Sequence, residues 1–226
     1  MPIVQCDVKN LEGHGAAFLS QDSVMMHELW NDVEMHSDNQ TQFNLPERRD
    51  AKYLLFRILY GGTEYGFVKD PLFFHVGFSV KQWKEVIEKF YNKYSGLYNW
   101  HQSLLQEVSK TGQLIMPTGR VYKFKMYNDK WPQTQIKNYP VQGLGADVMT
   151  LYRILIWKEL EDLPVLLISS VHDSIVIDAE EKYVDQVLTT YENCAKILYI
   201  EFEKRFGVEF NVPFRIESKV GYSLKE

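Results

Sequence analysis

Between Arg48 and Gly62 the chain reads RRDAKYLLFRILYGG, a stretch whose spacing fits a helix. Arg48, Lys52, Phe56 and Tyr60 recur every four residues. At about 100° per residue each step drifts by about 40°, so the four side chains share an arc of roughly 120°. Ala51, Leu54, Leu55 and Ile58 take the i, i+3, i+4, i+7 spacing of a packed face on another side. One helix thus carries a core face and a face of two cations followed by two rings. Arg48 and Arg49 add charge to the positive end of the helix dipole despite Glu47, which works against the helix; a bound polyanion would relieve it. An amphipathic helix with solvated cations has the same pattern, so other stretches must decide between them.

The chain has 226 residues, 45% hydrophobic and 14% aromatic, enough for one large domain or two small lobes. No apolar run approaches the ~20 residues of a membrane span, and no basic-then-apolar leader opens the sequence, so no membrane partner is expected. Cys6 and Cys194 lie far apart without Cys/His ligand spacing, which argues against a zinc or disulfide framework and fits a reducing, cytoplasmic compartment. The net charge of −5 argues against binding nucleic acid by bulk charge, so any positive surface must be local or lie on another chain.

A β-like run, Ile3 to Cys6, leads to Asp7, and Leu11 to Leu19 continue as a helix. Ser23 to Trp30 read as helical, and residues 32–47 lead into the organising helix. From Gly62 to Phe78 the glycines and aromatics predict a loop. Ser79 is the N-cap of a long helical segment that breaks near Ser95-Gly96 and ends at Gly112. IMPTGRVYKFKMY alternates around Pro117-Thr118-Gly119 and predicts a hairpin, whose Arg120, Lys123 and Lys125 are either solvated or a phosphate-backbone contact. A long helix is expected from about Gly145. Two apolar β runs, Val165 to Ile168 and Ile175 to Ile177, flank His172-Asp173. Alone, that carboxylate reads as a solvated turn. Residues 181–206 predict a helix and FNVPFRIESKVGYS a closing strand.

Four stretches together resemble the family A DNA polymerases. Arg-x3-Lys-x3-Phe-x3-Tyr-Gly at residues 48–61 is similar to the family's fingers helix. Asp7 with Glu12 and the following FLSQD resembles its first palm motif. His172-Asp173 at a hairpin turn resembles its palm signature, and Asn138-Tyr139-Pro140-Val141-Gln142-Gly143, continuing through Ala146-Asp147, resembles its primer–template segment. His36, twelve residues before Arg48, is similar to a histidine of the phage branch. Several positions depart from the pattern. Lys9 and Asn10 stand for the usual Ser-Gln, Gly13-His14 for Leu-Arg, Thr134 for a frequent Arg and Ser174 for the usual Glu.

The resemblance implies an α+β fold: an antiparallel palm sheet with a mostly helical fingers subdomain. It would be divided as 1–12 (first palm strand), 13–150 (fingers, with the nucleotide helix 47–61) and 151–226 (palm, with the catalytic hairpin 165–178). Arg48, Lys52 and His36 would hold the triphosphate of a dNTP, with Lys52 also serving catalysis, while Phe56 and Tyr60 stack near sugar and base. Glu12 would exclude a ribose 2′-hydroxyl. Asn138, Gln142, His172 and Arg120 would contact primer–template DNA; amides suit the acceptors common to every base pair in the minor groove. Asp7 and Asp173 would bind two Mg²⁺ ions about 3.5–4 Å apart. His-Asp-Ser also resembles the single-subunit phage-type RNA polymerases, but those lack the Glu gate and the Phe at the third fingers position. A non-catalytic DNA- or replisome-binding module is the remaining alternative.

The chain begins a few residues before the first motif, where the family carries a thumb, further palm and usually an exonuclease. It is therefore expected to be the C-terminal part of a split polymerase, in a host cytoplasm if phage-encoded, completed by a partner chain that supplies those parts. Its first strand is expected to lack neighbours and to leave an exposed edge.

Overall fold

The computed structural model describes residues 1–223; residues 224–226, the end of the expected palm segment, lie outside the described residues. The chain is α+β and divides into two compact units: residues 1–14, 117–119 and 143–226, and residues 15–116 and 120–142.

The first unit is built on a four-stranded antiparallel sheet in the order β4-β5-β1-β6. Its strands are β1 (Ile3–Val8), β4 (Leu166–Val171), β5 (Ser174–Asp178) and β6 (Ile216–Gly221). β1 alternates: Val4, Cys6 and Val8 are buried, while Ile3, Gln5 and Asp7 are half-exposed. The buried side meets α9 (Val184–Phe206) and the later turns of α8 (Gln133–Leu160). There the Tyr152 hydroxyl donates to the Tyr191 carbonyl at 2.9 Å, and the Tyr191 hydroxyl donates to the Val4 carbonyl at 3.1 Å. The same burial pushes the Cys6 thiol up to about 11 and the Cys194 thiol up to about 12, so both are inert neutral thiols.

The expected exposed first strand is not found. β1 pairs with β5 on one side, Val4 opposite Ile177, and with β6 on the other, Val4 opposite Val220. The strand also runs through Asp7 to Val8 instead of stopping at Cys6. Its partners come from the far end of the sequence, a pairing that local pattern does not reveal.

The second unit holds most of the remaining helices: α2 (Ser23–Trp30), α3 (Met35–Gln42), α4 (Arg48–Leu59), α5 (Glu64–Lys69), α6 (Val80–Lys93) and α7 (Ser95–Thr111). The helix α1 (Leu11–Ser20) contributes its later turns, and α8 its residues up to Gln142. The hairpin of β2 (Gln113–Ile115) and β3 (Val121–Lys123) forms as expected. Gly112 ends α7 with φ +71°, a conformation that costs glycine nothing.

Two expectations fail here for identifiable reasons. The predicted loop at 62–78 contains α5 and a 3₁₀ turn at Pro71–Val76. Phe67 and Phe73 point inward and pack on Trp83, with Phe67 stacked at 4.7 Å, so burial of rings stabilises a stretch whose glycines argue for a loop. Likewise α8 begins at Gln133 and not near Gly145. Pro140 costs a helix interior about 3 kcal/mol. Ile136 and Val141, nearly or fully buried on either side of it, offset that penalty through packing.

Buried polar groups bind the helices together. The Asp22 carboxylate caps α2 by accepting from the Val24 and Met25 N–H groups, and it also accepts from the Leu97 N–H of α7 at 3.2 Å. Lys93 of α6 donates to Glu28 of α2 and to Asp38 and Asn39 of α3, each at 2.7 Å. The Tyr94 hydroxyl donates to the other oxygen of Glu28 at 2.8 Å.

Candidate functional site

In the first unit the sheet register determines which groups meet. Asp7 lies opposite Ser174 on β5 and opposite Glu217 on β6, so three side chains share one row and one face. The β4–β5 hairpin turns through His172 and Asp173 alone, with His172 in the left-handed region at φ +53°. The Val8 N–H donates to the Asp173 carbonyl at 2.8 Å, which holds the turn beside the end of β1. The two aspartates predicted from distant motifs are therefore neighbours. His172 is exposed and Asp173 half-exposed, so neither carries the cost of a buried charge.

Gln5, two residues before Asp7 and on the same face, donates its amide to both carboxylate oxygens of Asp7 at 3.0 and 3.1 Å. Period-2 alternation would have identified it had the strand been extended past Cys6. Ser174 is nine-tenths buried, and its Oγ has no hydrogen-bond partner in the protein. Glu217 pairs with Lys9 at 3.5 Å. Among the described residues no three His, Cys, Asp or Glu side chains converge as a ready metal cage. Two hard carboxylates and an unsatisfied hydroxyl at one end of the sheet nevertheless suit an oxygen-seeking divalent ion that retains several waters.

Glu12 stands in the first turn of α1, half-exposed. Two departures from the family pattern nearby are one packing solution. The Asn10 side chain folds back over the helix, and a Cβ at Gly13 would lie 2.5 Å from its amide nitrogen. The His14 ring donates to the Asn10 carbonyl at 2.7 Å, and burial lowers its pKa.

In the second unit α4 has the predicted two faces. Ala51, Leu54, Leu55 and Ile58 are fully buried; Arg48 and Lys52 are exposed, and Phe56 and Tyr60 half-exposed. The N-terminal charge conflict is resolved internally. Arg48 Nε meets Glu34 Oε2 at 2.5 Å and Arg49 meets Glu47 at 2.8 Å. The buried Asp50 carboxylate accepts from the Glu47 N–H at 3.0 Å and pairs with His75. Lys52 Nζ lies 6.0 Å from the centre of the Phe56 ring. His36, on α3, is nine-tenths buried, and its Nδ1 has no partner in the protein. Burial lowers its pKa, Glu34 opposes that shift, and the positive charges of Arg48 and Lys52 add to it, so these four groups share one electrostatic environment. Arg48 in turn holds the Glu34 carboxyl below its usual range.

Tyr60 accepts a 2.6 Å hydrogen bond from the Gln142 amide, which joins the end of α4 to α8. Asn138, one turn earlier on α8, is half-exposed with an unpartnered Oδ1. Arg120 is exposed directly before β3, and its carbonyl accepts from the Met116 N–H at 2.8 Å. Sequence reading missed Glu34 altogether; its sole signal is an acidic residue directly before the α3 pattern.

Comparison with known proteins gives a consistent picture. The model of "DNA polymerase family A" matches residues 1–226. DNA polymerase I of Aquifex aeolicus is 25% identical over 84% of this chain and 34% of its own length, and that of Caldicellulosiruptor bescii 25% over 99% and 27%. The chain thus spans about a quarter to a third of the length of these relatives. Among solved structures, the POL domain of Pol1 from M. smegmatis, in complex with DNA primer-template and dNTP, is similar with a TM-score of 0.82 at 17% identity. The match covers 99% of this chain and 40% of that one, a likeness of fold.

Proposed function

This chain belongs to DNA polymerase family A, and from that membership we propose that it carries the palm and fingers chemistry of template-directed DNA synthesis. The reaction joins the primer 3′-oxygen to the α-phosphorus of a dNTP and releases pyrophosphate. The observation that supports this reading best is the backbone adjacency of Asp7 and Asp173, from distant parts of the sequence, at one end of one sheet.

Asp7 and Asp173 would hold a pair of Mg²⁺ ions; when bound, these supply acidification of the 3′-hydroxyl and charge neutralisation on the departing pyrophosphate. Gln5 fixes the Asp7 carboxylate through both oxygens while leaving lone pairs for a ligand. Ser174 contributes a neutral hydroxyl where the family usually has a third carboxylate. Arg48, Lys52 and His36 would bind the triphosphate, and Tyr60, steadied by Gln142, would offer its ring near the base. Asn138, Gln142, His172 and Arg120 would meet the primer–template. Glu12 would select deoxyribose.

We further propose that a partner chain supplies the thumb, the remaining palm and any exonuclease. A net charge of −5, which leaves much of the grip on DNA to other protein, supports this. Primer extension with Mg²⁺, comparing deoxy- and ribonucleotides with and without candidate partners, tests both proposals. Extension with dNTPs is expected only with the partner, and Asp7→Ala or Asp173→Ala should reduce it by orders of magnitude. Undiminished extension by either variant would refute the assignment of the carboxylates. Equal extension without a partner would refute the split.

A further inference from the structure

Against Arg48 on the cationic face of α4 lies a carboxylate at the start of α3 that the polymerase reading gives no task. Glu34 stands at the N-cap position of α3, where the helix dipole favours negative charge, and its Oε2 lies 2.5 Å from Arg48 Nε. It is not a wandering surface group. The helix that presents it is anchored from behind by Lys93, which donates to Asp38 and Asn39 of that helix, and the Lys93 side chain is only 12% exposed. His36, two residues along, turns inward with Nδ1 unpartnered. Lys52, one helical turn beyond Arg48, stays exposed.

Carboxylate and phosphate oxygens use the same guanidinium donors. We propose that Glu34 is a resident phosphate mimic: in the free protein it occupies Arg48, and an incoming triphosphate must displace it. The inference rests on the reading of Arg48, Lys52 and His36 as triphosphate ligands. It gives the site a threshold. Both partners of the pair are about half exposed, 52% and 53%, so it is weak and can be displaced. An anion that engages Arg48 alone gains little over the carboxylate it evicts. One that reaches along the helix to Lys52, about 6 Å further, gains a second cation and wins. Glu34 thereby favours triphosphate over single phosphates and pre-positions the arginine side chain.

The test is calorimetric titration of the full chain with inorganic tripolyphosphate, and with orthophosphate, at low ionic strength. Glu34→Gln should tighten tripolyphosphate by about two- to fivefold, the range expected for a half-exposed ion pair, and tighten orthophosphate by at least as much. The gain should vanish in the Arg48→Ala background, because the two groups then have nothing to compete for. Glu47→Gln, which removes a neighbouring carboxylate paired with Arg49 instead, should produce no comparable gain. Unchanged or weaker binding by Glu34→Gln, with Arg48→Ala still weakening the wild type, would overturn the mimic and leave the triphosphate site standing. An equal gain from Glu47→Gln would overturn it as a bulk-charge effect. Tripolyphosphate affinity indifferent to Arg48→Ala, or undetectable in every variant, would overturn both.

Discussion

Acid should loosen the second unit through one histidine. His101 on α7 is fully buried; its Nδ1 lies 3.0 Å from the Tyr91 hydroxyl, and its Nε2 has no partner in the protein. Burial, with a smaller push from Lys137, lowers its pKa from 6.5 to about 3. The unfolded chain therefore binds a proton that the folded chain refuses, and stability rises with pH across this window. The contribution is complete above pH 6.5 and is lost as pH falls toward 3, at about 1.4 kcal/mol per unit. By pH 4.5 the loss is about 2.7 kcal/mol, a large share of a typical domain's stability. His14 and His36 are shifted in the same direction by burial, so the measurement must be a difference. Urea unfolding of wild type and His101→Gln from pH 7.5 to 4.5 supplies it, because glutamine retains an acceptor for Tyr91 but cannot titrate. Tryptophan fluorescence reports locally, since the Trp100 ring lies 5.3 Å from the His101 ring. The variant should lose about 2–3 kcal/mol less than the wild type over that range. Parallel pH profiles would refute the reasoning.

Other perturbations follow from the same packing. Lys93→Met strands the Glu28 carboxylate, whose side chain is 6% exposed, and should cost about 3–5 kcal/mol in denaturant unfolding; adding Glu28→Leu should recover most of it. Gly96→Ala would bring a Cβ within 2.7 Å of the Asp22 Cα, a backbone clash that no rotamer relieves, and should lower stability by about 1–3 kcal/mol in a thermal melt. If Phe56 stacks near the dNTP sugar, as the family resemblance implies, Phe56→Tyr should weaken discrimination against dideoxynucleotides; competition between dideoxy and normal nucleotides in primer extension reads it, and unchanged selectivity would contradict that role.

Legibility from sequence followed the range of the interactions. The core face of α4, the hairpin at 113–123 and the left-handed end of α7 depend on spacing and on single residues such as Gly112, and they were readable. The start of α8 was not, because Pro140 and the nearby glycines argue locally against a helix that Ile136 and Val141 stabilise by burial. The stretch 62–78 misled for the same reason: its rings pack on Trp83, from the next helix. Asp7 and Asp173 were nominated by motif, whereas their adjacency and the Gln5 clamp exist only in the register of β1 with β5. Glu34 was invisible because the importance of an acidic residue near a helix start depends on which cation faces it.

The central place of β1 constrains how the first unit is made. Val4 cannot complete its ladder until Ile177 and Val220 have both been synthesised, so the end of the sheet that bears Asp7 is assembled across very wide loops. Closing such loops delays their reward, and a strand kept waiting exposes its backbone to wrong partners. The ribosome therefore releases Asp7 long before it has a neighbour, and the second unit, with its mostly local helical contacts, has time to fold while that strand waits.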